Sequence, residues 1–270
     1  QLKCHYCGFV QQIPSACQQC GDPQISIKGF GTEKIEEEIG IFFPDLIAGR
    51  LDLDTANTRT SFQRILSDFD EGRISILVGT QMVSKGLDFG NVSMVGVLDA
   101  DQMINFPDFR AHERSFQLMS QVSGRSGRRD KRGKVIIQTR QPHHWVIRDI
   151  VNHDYESFYI REIEDRGHFG YPPFSRLITL TFRHKDENEV HEAALDFSKK
   201  LKLLLKDRIL GPHIPLISRI RNKYLRIILI KIPRNESAST VKQLLSSMIN
   251  DFKQQQNYSS FQIVPDVDPV

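Results

Sequence analysis

The stretch Ile74–Thr80 reads ISILVGT, in which four large apolar side chains precede a glycine and a threonine. A short apolar run of this kind, bounded here by Gly72 and Gly79, is typical of a buried β-strand. Strands of a parallel sheet have such continuous runs because helices cover both of their faces. The stretch therefore predicts a central strand of a parallel sheet.

Strands and helices alternate on both sides of this stretch. Apolar residues recur with helical spacing from about Thr60 to Glu71, and Thr32 is predicted to cap a helix that extends to Phe42. Further strands are predicted at residues 46–54, where the pattern ends in acidic residues, and at 93–98 and 134–139. This alternation predicts an α/β fold, a parallel sheet with helices on both faces.

Polar residues follow the central strand directly. Thr80 opens a loop that also contains Lys85, Gly86 and Asp88. Ligands of parallel α/β sheets bind outside the carboxyl ends of the strands, so Thr80 and the loop after it are candidate binding residues. Two structural alternatives remain open, in which Thr80 only caps the strand end and Asp88 is only a turn residue.

A second polar segment, QVSGRSGR, covers residues 121–128. Arg125 and Arg128 are three apart, each directly after a glycine, and Gln121 precedes them. A guanidinium presents five fixed donors that match phosphate oxygens, and two arginines at this spacing share a helix face. The segment predicts a polyphosphate contact; a solvated basic turn is the alternative.

Two Cys-x-x-Cys pairs, Cys4 with Cys7 and Cys17 with Cys20, lie within the first twenty residues. Each pair is followed by a glycine, as in zinc knuckles, and four thiolates suit tetrahedral Zn²⁺. The sequence therefore predicts zinc in this segment, while the pairing of the cysteines stays open.

A second domain is predicted to begin near Gly170, because the paired prolines of Tyr171–Phe174 cannot continue a helix. The predicted order after them is βαββαβ, which is a ferredoxin-like α+β arrangement. The predicted domains are a zinc-knuckle segment at 1–25, the α/β lobe at 26–140, a helical linker at 141–169 and the ferredoxin-like domain at 170–270.

The C-terminal domain is basic although the whole chain has a formal charge of only +3. Residues 170–270 hold 16 of the 36 lysines and arginines and 10 of the 33 acidic residues. Arg219, Arg221 and Arg226 cluster with Lys223 around a predicted hairpin. The excess of cations favours contact with a nucleic-acid backbone, with solubilising surface charge as the alternative.

Composition limits the class of protein. The chain has 270 residues, of which 39% are apolar, enough for one large or two modest cores. No apolar run reaches the length of a membrane span and the first residues do not form a basic-then-apolar leader, so we expect a cytoplasmic bacterial protein without a membrane partner. Because the first residue is not methionine, a fragment of a longer protein is expected.

The loop after Val78, the run Pro107–Arg114 and the segment Gln121–Arg128 together resemble motifs V and VI of superfamily 2 helicases. The run Asp108–Arg114 and the C-terminal elements are similar to the primosomal protein N-prime (PriA) family of replication-restart helicases. The resemblance covers nearly the whole chain. It implies a RecA-like second helicase lobe, followed by the ferredoxin-like domain.

The resemblance also implies roles for individual residues. Thr80 and its neighbour Lys85 would contact single-stranded DNA, and Gly86 and Asp88 would lie near the nucleotide sugar. Arg125 and Arg128 would act as arginine fingers, with Gln121 sensing the γ-phosphate or positioning water. In this family two zinc sites are nested, so the four cysteines would be halves of two sites.

A P-loop is absent from the sequence, so ATP and Mg²⁺ would need a first helicase lobe upstream, and this chain alone should not hydrolyse ATP. The family implies branched and single-stranded DNA, single-strand DNA-binding protein and other primosome components as partners. The alternatives are a DNA- and partner-binding module without catalysis, or another superfamily 2 helicase.

Overall fold

The computed structural model describes residues 31–52, 54–80, 92–123, 133–255, 258 and 260–269, with a few residues between 2 and 23. Two compact units divide the chain: Ser26–Glu162, and Gln1–Ile25 together with Ile163–Val270. Two short strands, β1 (Leu2–Lys3) and β2 (Val10–Gln11), pair antiparallel. No helix among the described residues combines the length and the apolar character needed to cross a membrane.

The first unit contains two parallel strand pairs. Strand β3 (Ala48–Leu51) pairs with β4 (Ile76–Gly79), and β5 (Met94–Val97) pairs with β6 (Lys134–Ile137). The intervening chain forms helices because its apolar residues recur at helical spacing. These helices are α1 (Thr32–Phe42), α2 (Arg59–Asp70), α3 (Ala100–Ile104) and α4 (Ala111–Ser123). Parallel pairs joined by helices are the α/β architecture expected from the sequence.

Helix α1 begins differently from the prediction. Gly31 is its N-cap and makes no side-chain capping bond, while Thr32 is already helical. The Thr32 hydroxyl instead donates to the carboxylate of Asp52. Helix α2 has a reciprocal capping box, in which Thr58 and Ser61 satisfy each other's backbone donors.

Two further helices, α5 (Trp145–Val151) and α6 (Tyr155–Phe169), follow β6. Val146, Ile147 and Ile150 of α5 and Phe158 of α6 are buried in one cluster with residues of α3 and α4. Trp145 packs against the same cluster, as its apolar neighbours predict. Residues 141–158 therefore complete the core of the first unit, and the division between units falls within α6.

The C-terminal unit contains an antiparallel sheet in the order β11, β7, β10, β8, with a short β9 beside β10. Its strands are β7 (Ser175–His184), β8 (Ile209–His213), β9 (Arg219–Ile220), β10 (Lys223–Pro233) and β11 (Gln262–Val267). Helices α7 (Glu187–Leu205) and α8 (Ala238–Gln254) complete the unit. Alternate residues of the strands form one buried cluster with both helices, so the helices cover one sheet face.

Candidate nucleic-acid interface

Strands β3 and β4 end side by side. Leu51 lies opposite Gly79 in the parallel register, so Asp52 and Thr80 leave neighbouring strands at the same edge. Thr80 is exposed there, whereas Asp52 is only 7% exposed. The carboxyl edge of this strand pair therefore presents an exposed threonine beside a buried carboxylate.

The Asp52 carboxylate closes the turn at this edge. Its Oδ1 accepts hydrogen bonds from the backbone nitrogens of Asp54 and Thr55, both at 3.0 Å, and its Oδ2 accepts one from Thr32 at 2.6 Å. Arg50 Nε lies 3.3 Å from Oδ2. Burial alone would raise the pKa of Asp52, but the hydrogen bonds from Thr32 and Thr55 outweigh it and hold the pKa below its usual value. Asp52 is thus an ionised internal anchor of the turn.

The second strand pair also ends in a carboxylate network. Asp101 accepts from the Thr139 hydroxyl at 2.7 Å and from the backbone nitrogen of Arg140 at 2.8 Å. The Thr139 bond, followed by the Arg140 bond, lowers the pKa of Asp101. Asp99, with a φ of 51°, accepts from Gln102 at 2.6 Å. The sequence alone indicated no role for Asp99 or Asp101, because their partners lie across the sheet or one helical turn away.

Helix α4 carries Gln121 on an exposed position two residues before its end. The start of the helix is held in the core, because the His112 ring meets Trp145 edge-on at 5.0 Å and its Nδ1 lies 3.7 Å from the buried Glu162. Ser115 is fully buried and donates to the carbonyl of Ala111. The first turns of α4 are therefore anchored in the core of the first unit.

Most of the other predicted site residues lie outside the described residues. They are Lys85, Gly86, Asp88, Arg125, Arg128 and the four cysteines Cys4, Cys7, Cys17 and Cys20. Their predicted roles remain predictions.

The hairpin between β9 and β10 presents two of the three predicted arginines. Arg221 and Asn222 both have positive φ, 47° and 63°, as a two-residue type I′ turn requires. Arg221 is exposed at the tip. Arg219 lies over the Tyr224 ring, 4.7 Å from its centroid, and contacts the side chain of Asn222.

The placement of Arg226 on this surface needs correction, because it is only 4% exposed. Its Nη2 donates to Glu187 Oε1 at 3.0 Å and its Nη1 to the carbonyl of Leu225 at 2.8 Å. The alternation of side chains along a strand could have shown this, because residues two apart face the same side of the sheet. Arg226 therefore faces the same side as the buried Ile228 and Ile230. Arg226 is therefore a buried, paired residue of the sheet.

Comparison with known proteins adds two family matches. Residues 167–270 match the family described as Primosomal protein N C-terminal domain, and residues 49–130 match the Helicase conserved C-terminal domain. The first match covers the antiparallel sheet and its two helices. The second covers the residues from β3 to the segment after α4.

Several curated proteins are similar to this chain. It is 39% identical to the Replication restart protein PriA of Bacillus subtilis over an alignment of 274 residues. This alignment covers 100% of this chain and 33% of the relative. The chain is 39% identical to the Replication restart protein PriA of Synechocystis, over 86% of this chain and 28% of that relative. It is 36% identical to the Replication restart protein PriA of Treponema pallidum, over 100% of this chain and 40% of that relative. The chain thus spans about a third of the length of these relatives.

Proposed function

Because the chain belongs to the PriA family of replication restart proteins, we propose that it is the C-terminal part of an ATP-dependent DNA helicase. The complete protein would recognise branched DNA and reload the replication machinery in the bacterial cytoplasm. The observation that carries the proposal is the presence, in this order on one chain, of a helicase C-terminal match and a primosomal C-terminal match.

In this proposal the first unit is the second, RecA-like lobe of the motor. Gln121, Arg125 and Arg128 act on a nucleotide bound by the other lobe, with Gly86 and Asp88 near its sugar, while Thr80 and Lys85 contact single-stranded DNA. The exposed Gln121 at the end of a fixed helix fits a group that approaches a nucleotide from outside. ATP with Mg²⁺ supplies the phosphoryl-transfer chemistry when bound, and the phosphate-cradling P-loop has to come from upstream.

The C-terminal unit is ferredoxin-like in this proposal. The strand order β11, β7, β10, β8 with both helices on one face supports that assignment. Its DNA-binding role is supported by the exposed Arg221 and by Arg219 on the hairpin. The four cysteines are proposed to hold Zn²⁺, since thiolate donors in Cys-x-x-Cys pairs fit that metal.

The decisive experiment compares the complete protein with this chain alone. The complete protein should hydrolyse ATP in a DNA-stimulated reaction and unwind a forked duplex. This chain should bind the fork in a salt-sensitive way and leave ATP unchanged. A complete protein that binds the fork but never hydrolyses ATP would reject the helicase assignment.

That same outcome would favour the second candidate, a DNA- and partner-binding module without catalysis, which the cationic hairpin alone supports.

The proposed protein partners are single-strand DNA-binding protein and other primosome components. Pull-down of purified single-strand DNA-binding protein by the complete protein tests the first of them. If the complete protein retains no more single-strand DNA-binding protein than an unrelated protein of equal charge does, this partner is rejected.

A further inference from the structure

The end of the C-terminal sheet that carries the hairpin contains three carboxylates, each with a local partner. Asp186 caps α7 by accepting from the backbone nitrogens of Asn188 and Glu189, at 2.9 and 3.0 Å. Glu187 pairs with Arg226. Glu189 lies 3.3 Å from the ring of His184. Only Glu187 has its charge compensated, by Arg226, whereas Asp186 and Glu189 keep their negative charge.

Five cations at the same end make no ion pair with any residue in the part of the chain that the structure describes. They are Arg183 and Lys185 at the end of β7, and Arg219, Arg221 and Lys223 on the hairpin. The acidic residues of β11 are remote from them, because Asp266 lies opposite Thr179, four residues before Arg183. Since these cations outnumber Asp186 and Glu189, this sheet end has a net positive charge.

Arg183 is the member that sequence analysis did not identify. It lies on the sheet face away from the helices, since Leu180 and Phe182 of the same strand point into the core. Its neighbours across the sheet are Leu225 and Gln262. Its Nε is buried and has no hydrogen-bond partner among the described residues. Because Nε is closed to solvent, a phosphate oxygen would be contacted through the Nη1 and Nη2 donors of this guanidinium.

Arg219 shows the same feature from the opposite face. It lies opposite Tyr224, which packs against the core cluster under the helices, and its Nε also lacks a partner within the described ranges. Two strand spacings separate the β9 and β7 backbones, a distance of about 10 Å. Arg183 and Arg219 thus lie on opposite faces of the sheet beside the hairpin, whose tip carries Arg221.

We propose that Arg183, Lys185, Arg219 and Arg221 form one binding site for the phosphodiester backbone of DNA at this sheet end. Arg226 is a positioning residue in this site, because it holds Glu187 in an ion pair and keeps that carboxylate from neutralising the surface cations. The proposal rests on the proposed DNA-binding function of the C-terminal unit. Arginine suits the task, since its planar fork donates to two phosphate oxygens at once.

The test measures the affinity of this chain for a forked DNA at several salt concentrations. Arg183→Ala should weaken binding about tenfold, the lower end for a charge-assisted hydrogen bond, and flatten the log-log salt slope by roughly 0.7 to 0.9. Arg176→Ala is the matched control, because Arg176 is an exposed arginine near the opposite end of the same strand. The control should retain the affinity and the slope of the unaltered chain.

Two failures are distinguishable in this design. If the unaltered chain does not bind the fork, the proposed DNA-binding function of the unit fails. If it binds, but Arg183→Ala behaves like Arg176→Ala, the DNA-binding function stands and the role of Arg183 is rejected.

A second set of variants tests Arg226. Arg226→Met frees Glu187 and should weaken fork binding, and adding Glu187→Gln should restore most of the affinity by removing the freed carboxylate. A purely structural role predicts no restoration, since the double variant lacks the same ion pair. Thermal unfolding monitored by circular dichroism identifies folded variants. If Arg226→Met is unfolded, the single variant Glu187→Gln is the test. Unchanged or tighter binding of the forked DNA by this variant supports the site. Weaker binding overturns the role of the ion pair between Arg226 and Glu187.

Discussion

The hydroxyl of Thr32 donates to Oδ2 of Asp52 at 2.6 Å, joining the first turn of α1 to the turn after β3 across twenty residues of chain. The same carboxylate accepts from the backbone of Asp54 and Thr55. One buried side chain therefore fixes two elements beside the edge at which Thr80 is exposed.

We predict that Asp52→Asn destabilises the first unit by about 1–3 kcal/mol, because the amide nitrogen cannot accept the bonds that one carboxylate oxygen accepts. The single tryptophan of the chain, Trp145, packs in the core of this unit and reports its unfolding in urea by fluorescence. Asp54→Asn is the control, since Asp54 is exposed. Equal midpoints for the two variants would contradict an anchoring role.

The lowered pKa of Asp52 also predicts a pH dependence. A carboxyl group whose pKa is lower in the folded state stabilises that state above its unfolded pKa. This contribution is lost as the pH falls through the folded pKa. The free energy of unfolding reported by Trp145 should therefore decrease below about pH 4, and this decrease should be smaller in Asp52→Asn.

Arg161 is predicted to stabilise the packing of α5 against α6. Its Nη1 donates to Asp149 Oδ2 at 2.6 Å, and Asp149 is buried while Arg161 is half exposed. Arg161→Ala should cost about 1–2 kcal/mol, a value reduced from that of a fully buried pair because solvent screens the arginine. Tryptophan fluorescence in urea measures the change. The exposed Arg148→Ala serves as the control, and a shift of equal size in the control would show that the pair is unimportant.

The arginine-finger prediction concerns the complete protein. Arg125→Ala or Arg128→Ala should lower DNA-stimulated ATP hydrolysis by about three orders of magnitude, since a lost arginine finger removes charge stabilisation in the transition state. DNA binding should change far less. Steady-state hydrolysis and fluorescence anisotropy with labelled DNA separate the two effects, and normal turnover in both variants would reject the finger role.

The zinc prediction is tested by metal analysis of the purified chain. If all four cysteines hold one ion, the chain should carry close to one equivalent of zinc, and Cys17→Ser should remove it while circular dichroism stays unchanged. Sub-stoichiometric zinc would instead favour two nested sites that need ligands from upstream.

The hairpin prediction is independent of Arg183. Replacing Arg219 and Arg221 together by alanine should weaken DNA binding similarly across sequences, because phosphate contacts carry little sequence information. The log-log slope of affinity against salt concentration should become less steep by the equivalent of about two phosphate contacts, with roughly 0.7 to 0.9 for each contact. An unchanged slope would leave solubilising surface charge as the explanation.

Much of the secondary structure could be predicted because its signals are local. The apolar run before Gly79 predicted β4, the helical spacing after Thr60 predicted α2 within about one residue, and the apolar neighbours of Trp145 predicted its packing. Each of these follows from a backbone period and from burial of one face.

The sequence by itself determined the α/β pattern of the first unit and the family to which the chain belongs. Only the tertiary structure decided which charged groups are free, because ion pairs join residues far apart in sequence. Glu187 and Arg226 are 39 residues apart, and their pairing removes Arg226 from the surface. Arg183 was indistinguishable from other surface arginines until the strand register placed it beside Leu225 and Gln262, with an Nε that has no hydrogen-bond partner in the described part of the chain. Charge is a property of composition, whereas its neutralisation depends on distances that folding sets.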